Sequence, residues 1–106
     1  MYTKSLSTRD LLKEVMKLSK VDISPIQVFE KAINTFGETH QKIVAMEEMG
    51  ELIQAISKDL RGKEHNVEEE IADVEIMCKQ LRLMYDSDKI DQFVFDKIER
   101  LKGVVW

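Results

Sequence analysis

Proline and glycine are scarce in this sequence, which contains one proline and four glycines among 106 residues. These two residues interrupt helices and form the tight turns of strand-rich folds. Their scarcity therefore favours long helices over a strand-and-turn architecture. No segment alternates polar and apolar residues for long enough to predict a strand.

Cysteine is almost absent as well, since Cys78 is the only one in the chain. A single cysteine excludes an intramolecular disulfide, and a reducing compartment fits best. Because Met77 and Leu81 are its apolar neighbours, we expect the Cys78 thiol to be buried and to have no catalytic role.

The chain also lacks a long apolar run and an excess of positive charge. No apolar stretch approaches the ~20 residues needed to span a bilayer, and the first residues, MYTKSLSTRDLLKEV, are polar and helical in pattern, unlike a signal peptide. The net charge of −4 and the pI near 5.2 indicate neither a nucleic-acid polymer nor an anionic membrane as a partner. We therefore expect a cytoplasmic protein.

What the sequence has in abundance is apolar residues at helical spacing. The pattern predicts five helices, over residues 7–20, 25–36, about 38–60, about 66–85 and from about 88 onward. Ser24, Pro25 and Gln27 predict a capping box with a first-turn proline, and Gly62 predicts a helix stop. Asn66 is a predicted N-cap with Glu69 as its partner three residues on. We predict one all-α domain spanning 1–106, four-helix-bundle-like, with an additional short N-terminal helix.

Two pairs of acids lie close to apolar faces of these helices. At about 100° per residue, Glu48 and Glu51 share a face with three apolar neighbours rather than with lysine or arginine. The main core stripe of that helix is predicted next to them, at Met46, Met49, Ile53, Ile56 and Leu60. In the following helix Glu70 lies within the apolar stripe itself, and Asp73 lies about 60° to one side.

A buried carboxylate must be protonated, paired with a cation or bound to a metal. Because no lysine or arginine lies within about one helical turn of these acids, the four acids indicate a divalent ion held between two antiparallel helices. An oxygen-only ligand set favours Mg²⁺, with Mn²⁺ as a substitute. A di-iron site would need Glu-x-x-His motifs, which neither His40 nor His65 completes. The competing interpretation is a solvated acidic edge, with Glu68 and Glu69 explained by the helix dipole.

At these residues the sequence resembles the MazG-like, all-α nucleoside triphosphate pyrophosphohydrolases. The family signature E-E-x-x-E, spacer, E-x-x-D stands here as Glu47-Glu48-Met49-Gly50-Glu51 and Glu70-Ile71-Ala72-Asp73, with 18 residues between the halves. The resemblance covers roughly residues 36–85. It implies that Glu48, Glu51, Glu70 and Asp73 bind Mg²⁺.

The activity that the resemblance implies is hydrolysis of a (d)NTP between the α and β phosphorus atoms, giving a monophosphate and pyrophosphate. It also implies a homodimer or homotetramer. Two alternative functions stay open. One is a phosphoribosyl-ATP pyrophosphohydrolase-like enzyme, and the other is a non-catalytic helical interaction or regulatory module that retains the acidic site.

Further site residues are predicted around the two motifs. Glu47 is one position off the ligand face and is a candidate to orient or deprotonate the attacking water. Lys58 and Lys79 are the main candidates for phosphate contacts, with Arg61, Lys63 and Arg82 as further ones. The nucleobase contacts that the resemblance implies fall at Phe36, His40 and Gln41.

Overall fold

The computed structural model describes residues 7–19 and 23–106, and the side chains of 7–13 and 23–106. The described residues form five α-helices and no strand, which confirms the predicted all-α, four-helix-bundle-like fold with a short N-terminal helix. The helices are α1 (Thr8–Ser19), α2 (Pro25–Phe36), α3 (Glu38–Leu60), α4 (Val67–Met84) and α5 (Ser87–Val105). Lys20, the last residue of the first predicted helix, lies outside the described residues.

The helix boundaries follow from local chemistry that the sequence displays. The backbone N–H of Gln27 donates to Ser24 Oγ at 3.3 Å, and the Ser24 N–H donates to Gln27 Oε1 at 2.8 Å, so the predicted capping box is confirmed. Gly37 ends α2 with a φ of 92° and is at the same time the N-cap of α3. Gly62, with a φ of 70°, follows the C-cap Arg61 of α3.

The core of the fold is the seam between α3 and α4. These helices run antiparallel, because Gln41 near the start of α3 meets Gln80 near the end of α4, whereas Glu51 further along α3 meets Glu70 near the start of α4. α2 packs against one end of this pair, and α5 packs against α4. The buried residues of the seam are Gln41, Ala45 and Ala55 from α3 and Glu70, Met77 and Gln80 from α4.

The predicted core stripe of α3 is wrong. Its residues are between 37% and 82% exposed, and the face that meets α4 is instead the one that carries Glu48 and the two alanines. The physical reason is size, because Ala45 and Ala55 let two helix backbones approach closely, whereas a row of methionine, isoleucine and leucine holds them apart. The exposed set, called here the α3 stripe, consists of Met46, Met49, Ile53, Ile56 and Leu60.

The prediction of a buried Cys78 is also wrong, since its side chain is exposed. Cys78 lines an open cavity with Leu81, Arg82 and Ile90, where α5 packs against α4 without closing over the thiol. The interior position of Glu70 is confirmed, because it is buried on the same face as Met77. In the part of the chain that the structure describes, every helix is too short or too polar to cross a membrane.

Candidate metal centre

Three carboxylates converge at the α3–α4 seam. Glu48 and Glu51 are three residues apart on α3 and therefore lie on neighbouring turns of one face, and Glu70 faces them from the first turns of α4. One carboxylate oxygen from each lies within 4.8 Å of the other two. The structure therefore brings together three of the four acids that the sequence predicts as ligands.

Asp73 stands beside this group without being part of it. It follows Glu70 by three residues on α4 and is half-buried. Its charge raises the pKa of both Glu48 and Glu70, so it lies within electrostatic reach of both carboxylates. The structure therefore places Asp73 near the cluster but not among its converging oxygens.

Two oxygen atoms of the cluster have no hydrogen-bond partner. Glu70 is only 7% exposed, and its Oε2 and that of Glu48 are buried without a donor among the described residues. Buried polar atoms in folded proteins are nearly always satisfied, and a buried anionic oxygen is costly when unpaired. A cation bound between these atoms would satisfy both, and an oxygen-only donor set fits Mg²⁺ or Mn²⁺.

The electrostatics of the cluster agree with this interpretation. Burial raises the pKa of the Glu48 carboxyl, and the charges of Glu51, Asp73 and Glu70 raise it further. Burial likewise raises the pKa of Glu70, a hydrogen bond from Asn66 opposes that shift, and the charges of Glu51 and Asp73 add to it. In the absence of a cation, these two carboxyl groups therefore bind protons more tightly than an isolated glutamate does.

Asn66 is a site residue that the sequence-based prediction missed in this role. It is the N-cap of α4, but its side chain makes no capping hydrogen bond. Its Nδ2 instead donates to Glu70 Oε1 at 2.8 Å and to Glu69 Oε1 at 3.2 Å. The signal was present in the sequence, because residues four apart share a helix face and Asn66 precedes Glu70 by four.

A second buried polar contact joins α3 to α4 beyond the acids. Gln41 and Gln80 are each 5% exposed, and Gln41 Nε2 donates to Gln80 Oε1 at 2.8 Å. His40 Nδ1 lies 2.8 Å from Gln41 Oε1, and its ring lies 5.4 Å from that of Phe36 between centroids. Gln80 was also missed, although its spacing of seven from Asp73 places both on one helix face.

The predicted base contacts thus occupy two environments. Phe36 and His40 are exposed, and Phe36 is 59% exposed, so a planar ligand can reach the two rings. Gln41 is buried, and both ends of its amide are engaged by His40 and Gln80. Its described contacts are with the protein rather than with the open side of the seam.

The remaining predicted residues differ in their distance from the acids. Glu47 is exposed and one turn before Glu51, at the open edge of the cluster. Lys58 is exposed and seven residues after Glu51, which is about 10 Å along the same side of α3. Lys79 is about 180° around α4 from Glu70, and it lines a cavity of about 240 Å³ with Ile26, Phe29, Arg82, Leu83 and Ser87.

No family model, curated protein or solved structure matches this chain. The fold and the site alone therefore define its class, which is an all-α protein with an inward-facing carboxylate cluster between two antiparallel helices.

Proposed function

We propose that the protein is a Mg²⁺-dependent nucleotide pyrophosphohydrolase that cleaves a (d)NTP between the α and β phosphorus atoms. The observation that carries this proposal is the pair of buried, unpartnered oxygens on Glu48 and Glu70. Both residues belong to the E-E-x-x-E and E-x-x-D motifs. A solvated acidic edge would leave such oxygens in water rather than enclosed at a helix seam.

In this proposal Glu48, Glu51, Glu70 and Asp73 hold Mg²⁺, or Mn²⁺ in its place. The ion, when bound, neutralises the polyphosphate and lowers the pKa of a water that attacks phosphorus. Glu47 lies at the open edge of the cluster, where its carboxylate can accept a proton from that water. No protein nucleophile is required.

Substrate recognition is proposed on the open side of the seam. Lys58 is the better phosphate candidate of the two lysines, because it is on the same side of α3 as Glu51, whereas Lys79 lines the cavity on the far side of α4. Phe36 and His40 are proposed to contact the base. Gln41 is proposed to act indirectly, by holding the His40 ring through its amide oxygen.

The experiment that tests this function is a panel of canonical and modified (d)NTPs and phosphoribosyl-ATP, each incubated with the protein and Mg²⁺. We expect pyrophosphate and the nucleoside monophosphate as products, with no turnover when EDTA is present. Release of orthophosphate instead contradicts α–β cleavage. Turnover of phosphoribosyl-ATP alone selects the related enzyme class, and no turnover of any compound selects the non-catalytic module.

We further propose that the enzyme assembles as a homodimer or homotetramer through the α3 stripe. The five residues of this stripe are between 37% and 82% exposed in the single chain. The α3 stripe has alternating spacings of three and four, as in a helix-pairing heptad. A second copy of α3 presents the same apolar face, and interfaces of obligate homodimers bury about 2,000–5,000 Å².

A further inference from the structure

In the loop between α3 and α4, His65 and Asn66 each make a side-chain hydrogen bond to the start of α4. His65 Nδ1 accepts the backbone N–H of Val67 at 3.2 Å, which satisfies one of the free donors at the start of α4. His65 Nε2 lies 3.3 Å from Asp59 Oδ1, at the end of α3. Because its Nδ1 is an acceptor, the proton of a neutral His65 is on Nε2 and points at Asp59.

Asn66 does not make the capping bond that its position normally carries, and the N–H that His65 accepts is that of Val67, one residue before the donors that an N-cap side chain takes. An asparagine at the N-cap usually accepts a backbone N–H from the first turn, and here that side-chain bond is absent. The amide nitrogen of Asn66 turns instead to Glu70 Oε1, at 2.8 Å. With Oε1 held by this bond, Oε2 remains buried and unpartnered, in a carboxylate that converges with those of Glu48 and Glu51.

We infer that Asn66 is a positioning residue for the metal centre, which orients the Glu70 carboxylate so that its free oxygen faces the other two acids. The inference rests on the proposed function for the identity of the bound ion, but it concerns only residues of this chain. Hydrogen bonds from outer residues to metal ligands are typically worth 10–100-fold in metal affinity. The hydrogen bond from the Asn66 amide to Glu70 is of this kind, and it is made by a side chain that does not cap its own helix.

The test compares Asn66→Ser, Asn66→Ala and the wild type by Mn²⁺ binding, followed by electron paramagnetic resonance, and by the melting temperature without metal. Serine is as good an N-cap as asparagine but has no amide nitrogen to reach Glu70. We expect about a tenfold loss of Mn²⁺ affinity in both variants, with the metal-free melting temperature of Asn66→Ser close to that of the wild type. Asn34→Ser, the same change on α2, is the control and should bind Mn²⁺ as the wild type does.

Unchanged Mn²⁺ affinity in both Asn66 variants overturns the positioning role. An affinity loss that occurs only in Asn66→Ala, together with a lower metal-free melting temperature, also overturns it. That result would indicate that Asn66 acts as a helix cap. The outcomes separate this inference from the proposed function. A wild type that binds Mn²⁺ but hydrolyses no nucleotide removes the function and leaves the role of Asn66 standing, whereas a wild type that binds no Mn²⁺ removes both.

Discussion

Glu48 and Glu70 each have one buried carboxylate oxygen that accepts no hydrogen bond from the described residues. Each also has other acids as its nearest charged neighbours, and burial and that repulsion both raise its pKa. A site of this kind costs stability in the metal-free protein and recovers it when a cation binds. In the proposed function, metal binding and the cost to metal-free stability therefore come from the same carboxylates, and single substitutions can separate the two effects.

Glu48→Gln is expected to abolish Mg²⁺-dependent turnover while making the metal-free protein more stable. The amide keeps the shape of the side chain, removes one metal ligand and ends the repulsion from Glu51. We expect activity to fall by about 100-fold or more, since outer partners of metal ligands already contribute 10–100-fold. Pyrophosphate release and urea unfolding in EDTA measure the two effects.

The matched control for this substitution is Glu68→Gln, which removes the same charge from an exposed position in the first turn of α4. It should retain activity. A Glu48→Gln protein that unfolds more easily, yet is fully active per folded molecule, would show that the cluster is a structural network.

The raised pKa values also predict how the metal-free stability depends on pH. A group whose pKa is higher in the folded state binds protons more tightly there than in the unfolded chain. As the pH rises above the ordinary glutamate value of 4.5 and through the raised values of Glu48 and Glu70, the free energy of unfolding should therefore decrease. Urea titrations in EDTA at a series of pH values measure this slope.

The same titrations in Glu48→Gln should give a shallower slope, because one of the two groups no longer titrates. Mn²⁺ affinity should change in the opposite direction and increase with pH, since the ligands must be ionised. A wild-type slope equal to that of the variant contradicts the assignment of the shift to Glu48.

At the scale of helices, the pattern of apolar residues predicted all five elements, because caps, glycines and periodicity act locally. Ser24 and Gln27 form the predicted box, and Gly37 and Gly62 have the positive φ angles that glycine adopts readily at helix ends. The interior position of Glu70 was equally predictable, since Val74, Met77 and Leu81 lie on the same face of α4.

The choice between the two apolar faces of α3 could not be made from the pattern. Summed hydrophobicity favours the α3 stripe, whereas the seam is formed by Ala45 and Ala55, whose small size matters only when another helix approaches. The roles of Asn66 and Gln80 depend on which atoms face each other across the seam. Such pairings are a property of the packed helices rather than of either segment alone.

Gly50 offers a test of helix propensity within α3. It is in the helix interior between two proposed ligands, and a Cβ added to it would meet no atom within 4 Å. Gly50→Ala should therefore stabilise the metal-free protein by about 0.5–1 kcal/mol, because alanine loses less backbone entropy on folding. Urea unfolding in EDTA measures the gain.

Mn²⁺ affinity should be unchanged in Gly50→Ala, since the new methyl group touches nothing at the cluster. A variant that is less stable than the wild type would indicate that something approaches this backbone in the working protein, such as a second chain.

At the scale of the whole molecule, the described helices leave many large apolar side chains exposed. The five large apolar side chains of the α3 stripe account for part of the exposed surface. They lie on the side of α3 away from Glu51, so a second copy can cover them without closing the open edge of the acids.

Ile53→Lys is expected to convert the assembly to a monomer. Ile53 is 68% exposed and central in the α3 stripe, so the change is tolerated within one chain but places a charge inside the proposed interface. Light scattering after size-exclusion chromatography measures the mass. Gln54→Lys, which adds the same charge on the adjacent exposed position, is the control and should stay assembled. Two variants of equal mass would exclude the α3 stripe as the interface.

Gly37 joins α2 to α3 with no linker on either side. The last residue of α2, Phe36, stacks across it on His40 in the first turn of α3. The N-terminal half of α2 carries Ile26 and Phe29, which line a cavity with Lys79. Because α2 and α3 meet at this single glycine, the torsions of Gly37 set the angle between the two helices. One residue therefore governs both the position of the α2 wall of that cavity and the approach of Phe36 to His40.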